Sequence, residues 1–273
     1  MNWIMNNHRF NKGSAAARNL LNTYGFESLL DFPLDLFAHG LGATVVEKPL
    51  LNSDGRIISG QKHTIIEINE NIEFEEKKRF TLAHEIGHLI LHKGLDVHND
   101  NEATTSWFNN KEKQAKNGKI EYEANQFASE LLIPSHLFHE KQKGKKFSPD
   151  LLKELATFFK VSITSITFKY FELGDHPICL FHSHNKSVSY WKWPEGYPHY
   201  IIDRTKLEPP EDSVAMEFFE KGKIYPKQFS KQQIWKSTWF ELKDWEDDND
   251  FNFFEYCIIS STYNSVLSVV WEE

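Results

Sequence analysis

The chain has 273 residues and a formal net charge of −8 at pH 7, and this length allows one large domain or two modest ones. Hydrophobic residues make up 40% of the chain and charged residues 26%, with 13 Gly and 10 Pro. These values exclude an intrinsically disordered or collagen-like protein. The net negative charge excludes a protein that coats nucleic acid with its whole surface, because phosphate binding needs a basic field.

Cysteine content and the distribution of apolar residues predict the cellular location of the protein. Two cysteines, Cys179 and Cys257, are too few for a disulfide scaffold. Residues 1–10 lack the apolar run of a secretory signal. The least charged stretch, 256–271, contains Ser, Thr and Asn and is not expected to cross a bilayer. We therefore expect a cytoplasmic protein with no membrane partner.

Short elements are predicted before residue 70. Apolar spacing and turn residues predict helices at 14–24 and 33–40, and β-branched runs predict strands at 44–47, 56–59 and 63–69. The last strand, HTIIEIN, has two interpretations. It is either an edge strand that pairs with an extended substrate segment or an interior strand, because it contains three isoleucines.

Longer helical patterns follow. Apolar residues recur with the helical period over 73–93 and over 120–133, where Pro134 ends the pattern. The polar residues 98–119 between these helices predict a long loop. Ser148-Pro149 opens a further helix, and a short turn separates it from another that ends near residue 173. Residues 146–173 therefore have a helix-turn-helix-like outline.

The composition changes after Gly174. Six of the eight tryptophans lie between Trp191 and Trp271. Alternating patterns predict four strands, at 178–183, 187–193, 254–260 and 266–271. We expect a separate, Trp-rich, mixed α/β domain over 174–273, in which the tryptophans fill the core of a small mixed sheet rather than form a binding surface.

The sequence His84-Glu85-Ile86-Gly87-His88 is an HExxH motif inside a predicted helix. Residues four apart share one helix face, so both imidazoles can bind one metal ion, and Glu85 can reach a water held there. HExxH is short enough to arise by chance. Its apolar flanks nevertheless indicate a buried helix, and two buried histidines need strong partners. The pattern favours a zinc site with Glu85 as catalytic base.

A third protein ligand is expected, because two histidines form half of a tetrahedral site. His92 continues the same helix face, but one straight helix places three successive side chains poorly around an ion. The next helix offers Glu121 and Glu123. Glu121 is preferred because Asn125, four residues on, shares its face and can hydrogen-bond a ligand. Glu123 and His92 are the less favoured metal ligands.

These residues resemble a known family. The runs KRFTLAHEIGHLILH at 78–92 and EYEANQFASELLIP at 121–134, with the preceding TIIEIN strand, resemble the ImmA/IrrE family of zinc metallo-endopeptidases over about residues 45–173. The resemblance implies an α+β fold with a zincin-like, gluzincin-type peptidase domain at 1–145. It also implies one Zn²⁺ per chain, held by His84, His88 and Glu121, with Glu85 as the catalytic base.

Family membership would also imply a partner. Members are typically cytosolic and cleave or otherwise inactivate helix-turn-helix repressors of the XRE type, which releases stress-response or mobile-element genes. Some members carry a C-terminal sensor domain, so residues 174–273 could serve as a sensor or in substrate docking. The resemblance therefore implies a protein substrate that is itself a transcriptional repressor.

The sequence is also compatible with two alternative functions. Seven lysines between Lys141 and Lys169, against Asp150 and Glu154, form a basic stretch of the kind that contacts DNA. The second helix there has few side chains suited to base edges, so direct DNA binding is not favoured. The other alternative is a zinc-bound regulatory protein that binds a repressor or DNA without proteolysis.

Overall fold

The computed structural model describes residues 11–60, 63–92, 97–99, 116–202, 208–222 and 230–273. Residues 1–10 and most of the predicted loop at 98–119 lie outside these ranges.

The chain divides into two compact units: unit 1 is Met1–Glu140 with Ala156–Ser162, and unit 2 is Lys141–Leu155 with Ile163–Glu273. Helices accompany a small sheet in each, which confirms the predicted α+β class. Within the described ranges, no helix has the length and apolarity needed to cross a bilayer.

Unit 1 contains the elements predicted before residue 133, in the predicted order. Strand β4 and the start of α4 overlap the two ends of the range predicted as a loop, so that prediction is wrong at both ends. Helix α5, Ser135–Gln142, follows at the end of the unit. The bounds are α1 Lys12–Tyr24, α2 Leu34–Gly40, β1 Ala43–Lys48, β2 Gly55–Ser59, β3 Thr64–Asn69, α3 Glu75–Leu91, β4 Val97–Asn99 and α4 Lys116–Leu132.

The four strands of unit 1 form one sheet in the order β1-β3-β2-β4. Strand β3 pairs in parallel with β1 and antiparallel with β2, with Ile66 opposite both Val45 and Ile57. The edge-strand interpretation of residues 63–69 is therefore wrong, and the interior one is confirmed. The physical reason is burial: Ile66 and Ile68 lie in the core, and both backbone edges of β3 are satisfied by neighbours.

Close helix packing brings α1, α3 and α4 together. A Cβ placed on Gly87 of α3 would lie 3.2 Å from both the Cα and the carbonyl oxygen of Ala124 on α4. A Cβ on Gly13 of α1 would lie only 2.1 Å from the carbonyl oxygen of Glu123. Glycine at these two positions therefore lets both helices approach the backbone of α4 at the segment that carries the predicted metal ligand.

The Gly13→Ala substitution is expected to lower the free energy of unfolding by about 1–3 kcal/mol, because α1 must move away from α4 to make room for the methyl group. Thermal unfolding followed by circular dichroism measures this effect, at about 2–4 °C per kcal/mol. Gly40→Ala is the matched control, because a Cβ there meets nothing within 4 Å. Equal midpoints for both variants would contradict the close contact at Gly13.

Unit 2 contains a five-stranded sheet in the order β6-β5-β9-β8-β7. All its neighbouring strands are antiparallel, so the expectation of a mixed sheet is wrong in this detail. The division between the units falls within α6. The bounds are α6 Pro149–Phe159, α7 Ile163–Leu173, β5 Cys179–His184, β6 Ser187–Lys192, α8 Val214–Lys221, β7 Gln232–Ile234, α9 Lys236–Trp239, β8 Phe253–Ser260 and β9 Ser265–Glu272.

The tryptophans of unit 2 divide between core and surface. Trp239 and Trp271 are fully buried, and Trp239 stacks on Phe181 with ring centroids 4.1 Å apart. Trp193 and Trp235 are about half exposed, and Trp245 is more exposed still. Only some of these rings therefore fill the core as expected.

Candidate metal centre

Three side chains of metal-ligand type converge between α3 and α4. His84, His88 and Glu121 each offer one ligand atom, and these atoms all lie within 4.8 Å of one another. The Nε2 atoms of His84 and His88 are 2.9 Å apart. The Oε2 atom of Glu121 lies 3.1 Å from the first and 3.6 Å from the second. The structure thus brings together three of the predicted site residues.

The position of the cluster follows from local structure. His84 and His88 are one turn apart on α3 and are almost completely buried. Glu121 projects from α4 close to the point where Gly87 meets Ala124, and its side chain is 18% exposed. The two histidines therefore form the buried part of the cluster, and Glu121 forms its more accessible part.

Asn125 fixes the tautomer of His84. Its Oδ1 atom lies 2.8 Å from His84 Nδ1. An amide oxygen only accepts hydrogen bonds, so Nδ1 of His84 carries the proton and donates it. The other ring nitrogen, Nε2, then presents a lone pair toward His88 and Glu121. Asn125 therefore contacts one of the three residues of the cluster.

His92 and Glu123 lie together, outside the three-residue cluster. His92 Nδ1 is 3.0 Å from His88 Nδ1, and His92 Nε2 is 3.3 Å from Glu123 Oε2. Burial lowers the pKa of His92. Burial alone would raise the pKa of Glu123, but hydrogen bonds and charges from Lys12 and His92 outweigh it, so this pKa lies below its ordinary value. Glu123 is therefore an ionised partner of His92.

The donor set fits a zinc ion. A tetrahedral zinc with bonds of about 2.0–2.1 Å holds its ligand atoms about 3.3 Å apart. The three distances between the ligand atoms, from 2.9 to 3.6 Å, lie on either side of that value. Two histidines and one carboxylate also match the protein ligands of catalytic zinc sites, which keep one position open.

Glu85 is fully buried and directly follows His84 on α3. Its carboxylate lies against β2: a Cβ on Gly55 would be 2.9 Å from Glu85 Oε1 and 3.3 Å from its Cγ. Glycine at position 55 therefore leaves the space that this carboxylate occupies. No local sequence pattern relates Gly55 to Glu85, which lies 30 residues later in the chain.

The basic stretch at 141–169 is largely neutralised by acidic partners. Lys169 is buried, and four other lysines form ion pairs, so the stretch offers less positive charge to phosphates than its composition suggests. The pairs are Lys145–Glu154, Lys146–Glu273, Lys153–Asp150 and Lys160–Asp31.

Comparison with known proteins adds an independent finding. The peptidase M78 family model, described as the IrrE N-terminal-like domain, matches residues 38–170. The Bacillus subtilis (strain 168) protein named Metallopeptidase ImmA is 32% identical over 111 residues, which cover 40% of this chain and 57% of that protein. The match thus spans little more than half of that relative.

A solved structure gives a comparison of fold. The protein described as a Mycobacterium tuberculosis transcriptional regulator matches 97% of this chain and 78% of its own chain, with a TM-score of 0.60 and 13% identity. At this identity the likeness concerns the fold alone. The matched family segment includes both histidines of the cluster, Glu85 and Glu121. Residues 38–170, just under half of the chain, therefore match the ImmA/IrrE family of metallopeptidases.

Proposed function

We propose that the protein is a zinc-dependent endopeptidase that cleaves a specific cytosolic protein. The observation that carries this proposal is the convergence of His84, His88 and Glu121 around one point, with the Nε2 lone pair of His84 directed there. The match of residues 38–170 to a metallopeptidase family supports it. The zincin-like, gluzincin-type description of the fold is part of the same proposal.

His84, His88 and Glu121 would hold one Zn²⁺, with one position left for water or substrate. When bound, zinc supplies Lewis-acid polarisation of the scissile carbonyl and lowers the pKa of a bound water toward about 7. Asn125 keeps the His84 ring oriented through the 2.8 Å hydrogen bond. In this proposal, His84, His88 and Glu121 already lie close enough together to bind zinc with little rearrangement.

Glu85 is the general base in this proposal. Its carboxylate accepts the proton of the attacking water and then delivers it to the leaving amine nitrogen. Full burial against Gly55 limits the conformations of the side chain and keeps its carboxylate next to β2.

The proposed substrate is a helix-turn-helix repressor of the XRE type, and cleavage would derepress stress-response or mobile-element genes. A net charge of −8 suits a partner whose DNA-binding surface is basic. The paired lysines at 141–169 weigh against direct DNA binding by this chain. The Bacillus subtilis relative is named a metallopeptidase, which supports peptide-bond hydrolysis but specifies no substrate.

We also propose separate roles for three segments of the chain. Residues 1–145 act as the peptidase domain, and 146–173 as a helical extension. Residues 174–273 act in sensing or in substrate docking, where the exposed rings of Trp193, Trp235 and Trp245 offer contact area.

The decisive test is cleavage by the wild-type protein. The full chain, loaded with zinc, is incubated with a purified XRE-type repressor encoded beside its gene, and the fragments are analysed by mass spectrometry. We expect one specific cut that a zinc chelator abolishes and that added zinc restores. A repressor that is bound but never cut by the zinc-loaded protein would instead support the non-proteolytic regulatory alternative.

A further inference from the structure

Three side chains extend from His88 away from the proposed metal position. His88 Nδ1 contacts His92 Nδ1 at 3.0 Å, His92 Nε2 contacts Glu123 Oε2 at 3.3 Å, and Lys12 Nζ contacts the same Oε2 atom at 2.9 Å. We call His92, Glu123 and Lys12 the relay. Its members come from three different places: the residue that follows α3, the helix α4, and the first turn of α1.

The hydrogen bonds of the relay have a defined direction. Glu123 is a carboxylate and accepts, so His92 donates from Nε2. A neutral His92 ring then has an accepting Nδ1, and His88 must donate to it from its own Nδ1. Consequently, Nε2 of His88 keeps a lone pair directed at His84 and Glu121. The relay sets for His88 the tautomer that Asn125 sets for His84.

We propose that Glu123, acting through His92 and held by Lys12, is a positioning residue for the metal ligand His88. This inference rests on the proposed metal role of His84, His88 and Glu121. The relay differs from the contact of Asn125 because it ends in a carboxylate paired with a lysine. Carboxylate partners of metal-bound histidines orient the ring and increase its basicity. Helix α1 thereby becomes part of the metal centre, although it provides no ligand.

The chain offers a matched control for a purely structural role. Glu130 also lies on α4, is buried, and pairs with a cation of α1, since its Oε1 is 3.3 Å from Arg18 Nη1. It also accepts a hydrogen bond from Ser135 Oγ at 2.6 Å. Glu123 and Glu130 thus connect the same two helices, but only Glu123 contacts His92.

The test measures zinc affinity by chelator competition and the visible absorption of the Co²⁺-loaded full chain. His92→Leu and Glu123→Ala are expected to weaken zinc binding about 10- to 100-fold and to shift the Co²⁺ bands. His92→Gln should restore most of the affinity, because its amide oxygen can accept from His88 while its amide nitrogen donates to Glu123. Glu130→Ala should leave zinc affinity and the Co²⁺ bands unchanged.

The possible failures are distinguishable. Wild-type zinc affinity in His92→Leu and Glu123→Ala would overturn the relay and leave the proposed metal centre standing. An equal loss in Glu130→Ala would show that helix packing causes the effect, and this also overturns the relay. A wild-type protein that binds no zinc would overturn the proposed function and the relay with it.

Discussion

The His84→Ala variant is expected to bind zinc about 100- to 1000-fold more weakly than the wild type. A four-ligand zinc site contributes about 10–16 kcal/mol of binding free energy, so one ligand accounts for about 2.5–4 kcal/mol. His84 is also the histidine whose tautomer is set by Asn125. Alanine leaves His88 and Glu121, which are too few for a tight site.

Zinc competition with a chromophoric chelator measures this loss, and metal analysis of the purified protein provides an independent measurement. His39→Ala is the matched control, because His39 lies on the exposed surface of α2, outside the described cluster. Circular dichroism separates loss of metal from loss of fold. Wild-type affinity in His84→Ala would contradict its assignment as a ligand.

Much of unit 1 could be predicted from local signals. Apolar periodicity predicted α1 and α3 to within two residues at each end, because few turn residues interrupt either helix. Helix α1 buries one face, whereas residues 80–88 of α3 are all buried. The position of β3 in its sheet could not be settled in this way. Its isoleucines suit either an edge or an interior strand, and only pairing with β1 and β2 decides between them.

The candidate site shows the same division between local and distant information. His84, Glu85 and His88 follow from one motif on one helix, and the i, i+4 spacing of Glu121 and Asn125 identified two residues of the second helix. Lys12 could not be found in this way, because 111 residues separate it from Glu123 along the chain. Such partners become visible only when helix packing is known.

Gly13 and Gly55 are two further positions whose structural role could not be predicted from the sequence. Each is required because another backbone or side chain approaches closely, Glu123 in the first case and Glu85 in the second. Within helix α1, a glycine is locally unfavourable by about 1 kcal/mol relative to alanine. A residue that costs local stability and permits a tertiary contact gives no positive signal in the pattern of its own segment.

Glu85→Gln is expected to retain zinc and to lower kcat for cleavage by about 10²- to 10⁴-fold, the usual contribution of a general base. Glutamine has nearly the same shape, so it fits the space beside Gly55. Its amide cannot accept the proton of the attacking water at neutral pH. Binding of the substrate should change little, because the loss falls on a transition-state step.

The measurement pairs zinc content with the cleavage rate, since Glu85 is adjacent to His84 and a variant that lost metal would also lose activity. Glu76→Gln, an exposed substitution on the same helix, is the control and should cleave at the wild-type rate. Unchanged cleavage by Glu85→Gln would assign the proton transfer to another group. If Glu85→Gln instead loses zinc and cleavage activity together, Glu85 belongs to the residues that hold the metal and is not assigned as the general base.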